Sequence, residues 1–346
     1  MAIDGLMKEL PLGDSWSVPE VFTESVRIGG LTLHLVGLTS KNEEGFVIQT
    51  SAADLKELPW NRAYYELLER ISIIEAESKS TFQDTAFASF LINGEDGGVL
   101  VGNRVFPEDY LPYRKLSKSN GVACHTNARK ARMSAWLELV ERDSILQSWD
   151  GYLKPRQYEG GDSEIADRLK DIYRIAHFLF SDANSSEGEL IPVVAGSFLF
   201  PLLPENPLVF GFGSETSPAL AVNKATGECL QRLGFLYGEA PVREIPIFSP
   251  TPSYHQDVFL HPEALPEIQS WLAGGRQQKT TYARPPTENS QVITYADLTP
   301  NRFRGKIFVF RAISEFLRPL SFGISQSGVL PAHLLQAPWR KIHPIA

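Results

Sequence analysis

Cysteine is scarce in this chain. Its 346 residues carry two, Cys124 and Cys229, which form no close pair and no metal-type spacing. A disulfide-stapled scaffold is thereby excluded, and a reducing compartment is the simpler setting. Basic residues do not predominate: 33 Lys and Arg stand against 41 Asp and Glu, for a net charge of −8. The footprint needed for sequence-independent binding to nucleic acid is missing, although an anion held through metal ions remains compatible with that balance. Long apolar runs are missing too. The most apolar stretch, 190–200, is followed by Pro201, Pro204 and Glu205 and is too short to cross a bilayer. Residues 1–14 carry acids and no long apolar core, so they do not read as a signal peptide. A cytoplasmic location is expected. There is no Gly-x-x-x-x-Gly-Lys phosphate loop and no Gly-x-Gly-x-x-Gly after a strand, so a nucleotide would bind by another route.

The apolar content of 43% suits a globular protein of one large or two medium domains. Apolar periodicity predicts strands over 26–38 (broken at Gly29-Gly30), 45–49, 87–91, 99–105, 177–180, 190–200, 208–212, 292–295 and 306–311. It predicts helices over 61–78, 127–149, 164–172, 218–237 and 263–273, with Pro266 tolerable only near the start of the last. Polar loops are expected over 115–121 and 274–290, and no periodicity after Pro331. Strands alternating with helices define an α/β or mixed α+β class. The expected organisation is a strand-rich N-terminal part, 1–60, continuous with a body, 61–346, whose tail is 331–346. His255 and His261 fall in a loop-like stretch and are expected at the surface; His34 and Cys229 read as packing residues.

Against these absences stands a duplicated motif. Glu66-Leu67-Leu68-Glu69-Arg70-Ile71-Ser72 and Glu138-Leu139-Val140-Glu141-Arg142-Asp143-Ser144 both read Glu-x-x-Glu-Arg-x-Ser. One Glu-x-x-Glu-Arg is expected only about 0.1 times in a chain of this length. Both copies lie in helical segments, where residues three apart share a side, so each aims two carboxylates one way. Facing helices would bring four carboxylates together. That charge requires cations, and hard divalent ions, magnesium with nucleotide phosphates above all, take oxygen ligands. The alternative is a pair of solvated helix faces with ordinary ion pairs.

The second copy follows Ser119-Asn120-Gly121-Val122-Ala123 and continues into Ala131 and Leu137-Glu138-Leu139-Val140-Glu141-Arg142-Asp143. This order resembles the YcaO family, with its Ser-Asn-Gly-x-Ala loop and Leu-Glu-x-x-Glu-Arg-Asp helix. Glu66 to Arg70 is similar to the family's earlier acidic helix, and Lys224-Ala225 with Glu228-Cys229-Leu230-Gln231 to its later Glu-x-x-Gln helix. The resemblance implies a YcaO-like fold, sheets flanked by helices that carry the paired motifs. It implies an ATP- and Mg2+-dependent enzyme that phosphorylates a peptide amide oxygen. Attack by a Cys, Ser or Thr side chain and loss of phosphate then leave thiazoline or oxazoline. It assigns Glu66, Glu69, Glu138 and Glu141 to magnesium, and Asn120, Arg142, Glu228 and Gln231 to nucleotide. Arg70 either meets phosphate or orients its neighbouring carboxylates. The implied partners are a precursor peptide, a separate leader-binding protein and a flavin-dependent azoline dehydrogenase in an oligomeric complex, with no nucleic acid and no membrane.

Four positions depart from the pattern near the implied phosphate site: Arg62 replaces a Ser, Lys130 an acid, Leu233 an Arg (with Arg232 adjacent) and His125 a Gly. Azoline-forming members often end in Pro-x-Pro-x-Pro. This chain ends Lys341-Ile342-His343-Pro344-Ile345-Ala346, and only Pro344 matches. If the tail enters the site, His343 or the Ala346 carboxylate is a candidate general base; otherwise it is a frayed end. Thioamide or amidine formation by the same activation, and a non-catalytic assembly subunit, stay open.

Overall fold

The structure is a computed structural model that describes residues 3–80, 85–107, 113–181, 192–239, 242–276, 293–324 and 336–346. Outside them lie 277–290 of the expected polar loop, 190–191 and Val292 of two expected strands, and 331–335 of the tail.

The chain opens with a short helix, Ile3–Glu9, and an antiparallel meander of Glu20–Ile28, Leu31–Lys41 and Val47–Asp54. The middle strand buries both faces: Leu33 and Leu35 enter one core, Val36 and Leu38 another. Helix Trp60–Ser80 lies on this meander through Ala63, Tyr64, Leu67, Leu68 and Ile71, the stripe its apolar spacing dictates.

A second, five-stranded antiparallel sheet runs Asp96–Val101, Ala86–Phe90, Thr294–Asp297, Phe308–Ile313, Val122–His125. Its last strand is an edge. Gly121 starts it at φ +69°, where an added Cβ would stand 3.0 Å from the Ala312 carbonyl oxygen, so only glycine fits this entry. The chain then caps helix Ala128–Trp149 with the Asn127 side chain, which accepts from the Lys130 amide.

The third sheet runs Val209–Glu215, Val193–Pro201, Tyr173–Leu179, Arg156–Tyr158. Helix Pro218–Leu236 lies against it. Gly213 permits the close approach, since a Cβ there would stand 2.6 Å from the Ala221 carbonyl oxygen. Strand Val193–Pro201 is buried from Val193 to Phe200 because helices cover both faces. Its Phe198 joins Phe210 and Phe310 with Ala135, Leu139 and Trp149 of helix Ala128–Trp149 in the largest core. That helix is therefore shared by the second and third sheets. Short helices Gly102–Val105, Ser163–Leu169, Pro252–Leu260 and Ala264–Leu272 complete the body. The class is mixed α/β, as expected. Among the described residues, no helix is long and apolar enough to cross a membrane.

Three expectations are corrected. The strand expected over 99–105 ends at Val101 and becomes the helical turn Gly102–Val105. The first two residues of the expected loop 115–121 belong to a strand, Arg114–Leu116, because Ser321–Gly323 pairs with it. His255 and His261 are buried, not at the surface. The region is a helix, Pro252–Leu260, capped by Thr251. His255 donates from Nδ1 to the His343 carbonyl (3.0 Å) and accepts at Nε2 from the Gly323 amide (2.8 Å), while His261 stacks on Trp339. Backbone partners that a local reading of sequence does not see make this burial affordable.

Candidate functional site

Each acidic motif sits in the middle of its helix. The i,i+4 spacing pairs Arg70 Nη2 with Glu66 Oε1 at 2.6 Å and Arg142 Nη2 with Glu138 Oε1 at 2.7 Å. The two helices meet at the edge of the second sheet. Residues Ala123 and His125 face Phe308–Ile313, so the amides of Val122 and Cys124 point outward. Val122 N–H donates to Glu138 Oε2 and Cys124 N–H to Glu69 Oε2, both at 3.0 Å. Outward amides two residues apart are about 7 Å apart along a strand. One strand edge thus gathers a carboxylate from each helix.

The third helix supplies the remaining wall. Lys224, Glu228 and Gln231 recur at helical spacing on one side of Pro218–Leu236. Lys224 Nζ lies 3.9 Å from Glu141 Oε2, and Gln231 Nε2 donates to the Ser51 carbonyl at 2.8 Å. Asn120 is buried, with its Oδ1 3.5 Å from Arg142 Nη1. A cleft of about 620 Å³ opens among these elements, lined by Ser51, Arg62, Glu66, Glu69, Cys124, His125, Lys224 and Gln231.

Burial and mutual repulsion govern the carboxylates. Desolvation pushes Glu69 well above the ordinary carboxylate range, and the charges of Glu138 and Glu66 push it further. Glu141 is raised to about 7 by burial, with Glu228 and Glu138 repelling it and Lys224 and Arg142 pulling it back. Burial also raises Glu228, against Arg232, Lys224 and Arg142, and Glu66, against Arg70. Glu66, Glu69, Glu138, Glu141 and Glu228 lie near enough to repel their neighbours in that order, and of this row Glu66 and Glu69 line the cleft.

This row fits a hard divalent cation. Its donors are oxygens, and its internal cations leave Glu69 without an ion pair among the described residues. Among the described residues, no three His, Cys, Asp or Glu side chains converge closely enough to hold a metal ion by themselves. An open row suits magnesium, which keeps waters and phosphate oxygens in its shell.

The structure brings together Glu66, Glu69, Arg70, Asn120, Glu138, Glu141, Arg142, Glu228 and Gln231. His343 and Ala346 are not brought to the row. His343 is buried, its Nε2 donating to the Ser321 carbonyl at 2.7 Å, with its ring 4.3 Å from that of His255. None of these partners lines the cleft. Ala346 is exposed. Of the departures, Arg62 lines the cleft and donates to the Ala53 carbonyl at 3.0 Å, and His125 lines it too. Lys130 is exposed, Leu233 is buried in apolar packing, and Arg232 lies near Glu228 and over the Phe210 ring. Burial pushes the Cys124 thiol up, with Glu69 adding to the effect, so it is a poor nucleophile.

Sequence reasoning missed Arg311. It is buried behind the row, donates to the Lys118 carbonyl at 3.1 Å, and has its pKa lowered to about 10 by burial, with the Glu138 and Glu77 charges opposing. A lone Arg inside the apolar strand Phe308–Ile313 was the available signal. Ser51, the acceptor for Gln231, carried none.

A row of helix-borne carboxylates beside a cleft on an α/β scaffold has the donor chemistry suited to a divalent cation and the phosphates it carries. Residues 102–300, more than half of the chain, match the family profile described as YcaO cyclodehydratase, ATP- and Mg2+-binding, and the chain belongs to the YcaO family. The first acidic motif precedes the matched span. The fold is similar to that of YcaO from Methanopyrus kandleri bound with AMPPCP and Mg2+ (TM-score 0.57, 18% identity, 90% of each chain covered). It is also similar to a chain of the E. coli microcin synthetase McbBCD complex (TM-score 0.58, 13% identity, 94% of this chain and 96% of that one). A third similar structure is a heterocyclase in complex with substrate and cofactor (TM-score 0.54, 11% identity, 92% of this chain and 53% of that one). At such identities the likeness is one of fold. No curated protein matches the chain.

Proposed function

We propose that the chain is an ATP- and Mg2+-dependent cyclodehydratase subunit that converts Cys, Ser or Thr of a ribosomal precursor peptide to thiazoline or oxazoline. The observation that carries this reading is the strand edge on which Val122 and Cys124 hold Glu138 and Glu69. Glu66, Glu69, Glu138 and Glu141 hold magnesium; Asn120, Arg142, Glu228 and Gln231 hold the nucleotide. Bound Mg·ATP supplies the phosphoryl group that turns the amide oxygen into a leaving group, with the metal spreading the developing charge. Arg142 is a forked donor suited to phosphate oxygens, and Arg70 holds Glu66 in place from the Gln49 carbonyl.

A separate leader-binding protein presents the peptide, and a flavin-dependent dehydrogenase acts on the azoline afterwards. The McbBCD assembly of the E. coli relative supports a multi-subunit setting. Mass spectrometry of precursor peptide with ATP, magnesium and the partner tests the reading: loss of one water per modified Cys, Ser or Thr is expected, and an unchanged mass under complete conditions overturns it. A second reading, thioamide or amidine formation by the same activation, is favoured by the placement of His343 among Ser321 and His255 instead of the cleft. Oxygen-to-sulfur exchange would mark the first, and water loss without a consumed Cys, Ser or Thr the second. A non-catalytic assembly subunit predicts no ATP hydrolysis; hydrolysis that vanishes in Glu138→Gln excludes it.

A further inference from the structure

The N-terminal meander has two edges, and the chain finishes only one. On Val47–Asp54 the outward carbonyls are met: Gln49 accepts from Arg70 (3.0 Å), Ser51 from Gln231 (2.8 Å) and Ala53 from Arg62 (3.0 Å). Alternate residues of an antiparallel strand turn their main-chain groups to each side. Leu31–Lys41 therefore gives its even-numbered residues to Val47–Asp54 and its odd-numbered ones to Glu20–Ile28. Val21, Thr23, Ser25 and Arg27 point their amides and carbonyls away from the sheet, and among the described residues nothing bonds those groups. Such an edge pairs with other chains unless proline, lysine or a bulge blunts it. This strand has nine residues, none of them proline or lysine, in unbroken register. One face of it carries Glu20, Phe22 and Glu24, all exposed, and Phe22 stands open because its neighbour Gly37 offers no side chain.

We propose that Glu20–Ile28 is the docking edge for a strand of the separate partner protein, a strand that carries a base, an apolar residue and a base at alternate positions. The inference rests on the multi-subunit reading and not on the Mg·ATP site. Residues directly opposed across an antiparallel pair share a face about 5 Å apart. The two bases thus meet Glu20 and Glu24, and the apolar side chain covers Phe22. The outward groups of Val21, Thr23, Ser25 and Arg27 supply the main-chain bonds, while the alternating side chains select the partner. A second copy of this chain does not fit. Pairing about a two-fold axis keeps each face on its own side. Arg27, the one base of the strand, lies on the opposite face and never opposes either Glu.

Two blocked heptapeptides, Thr-Lys-Thr-Val-Thr-Lys-Thr and Thr-Glu-Thr-Val-Thr-Glu-Thr, test this on the full chain by NMR. The Lys peptide is expected to bind about tenfold tighter than the Glu peptide. At saturation it slows amide exchange at Val21, Thr23, Ser25 and Arg27, and leaves Glu20, Phe22 and Glu24, already bonded within the sheet, as they were. The double variant Glu20→Lys/Glu24→Lys reverses the preference between the two peptides by about the same factor. A melting scan shows that this variant, altered only at exposed positions, is folded. Equal binding of both peptides, a preference that survives the charge reversal, or protection without alternation overturns the proposal. So does a chain that sediments as a dimer with these four amides already protected, since a second copy then holds the edge. A precursor peptide modified by this chain alone instead overturns the multi-subunit reading on which the inference rests.

Discussion

The acidic row and the anchor of the C-terminal tail both bury ionisable side chains, and the protein completes them differently. At the anchor, His255 has a backbone partner at each ring nitrogen, and His343 donates to Ser321, with only its Nδ1 left without a partner. Burial keeps both imidazoles neutral, His255 well below its ordinary range and His343 down to about 4. In the row, burial and repulsion push Glu69 and Glu141 upward, and Glu69 has a single amide for a partner besides the pull of Arg70. Burial of titratable groups alone does not mark a site. What marks it is charge that the chain leaves for something else to neutralise.

The sharpest separation of the two regions comes from substitution. Glu69→Gln and Glu141→Gln lower ATP turnover by about a hundredfold or more while the protein stays folded. His343→Ala costs about 2–3 kcal/mol of stability, through a cavity and a lost buried hydrogen bond. It leaves turnover per folded molecule within about twofold. Turnover assays paired with thermal melts read both effects, and a loss of turnover in folded His343→Ala would erase the distinction.

The regions also titrate in opposite directions. Glu141 is raised from 4.5 to about 7 in the folded chain, so its contribution is fully present below 4.5 and is lost as pH rises toward 7. His343 is lowered from 6.5 to about 4, so its contribution is present above 6.5 and is lost as pH falls toward 4. Without metal, Glu141→Gln is therefore more stable than wild type at pH 8 by about 1–3 kcal/mol, and the advantage shrinks toward pH 4.5. Saturating Mg2+ reverses it. Melting scans in EDTA and in Mg2+ check the sign. The smallest effect is at the rim: Arg70→Ala breaks a half-exposed pair and costs less than about 1 kcal/mol in a denaturant melt.

Much of this contrast was legible in the residues. The 3.6 spacing of Ala63, Tyr64, Leu67, Leu68 and Ile71 gives the first acidic helix within two residues, because local periodicity sets it. The duplicated Glu-x-x-Glu-Arg gives both carboxylate pairs for the same reason. Contacts made only by packing were not legible: Ser51 reaches Gln231 across the molecule, and Arg311 comes behind Glu138 through strand pairing. The burial of His255 depends on amide and carbonyl groups from 323 and 343, which no local pattern announces.

A crystal structure of the chain with Mg2+ and a non-hydrolysable ATP analogue tests the account most directly. Metal ions ligated at about 2.0–2.1 Å by carboxylates from both acidic helices, with the phosphates bridging them, are predicted. Metal bound by one helix alone, or a triphosphate seated away from the Glu69 and Glu138 edge, would contradict it.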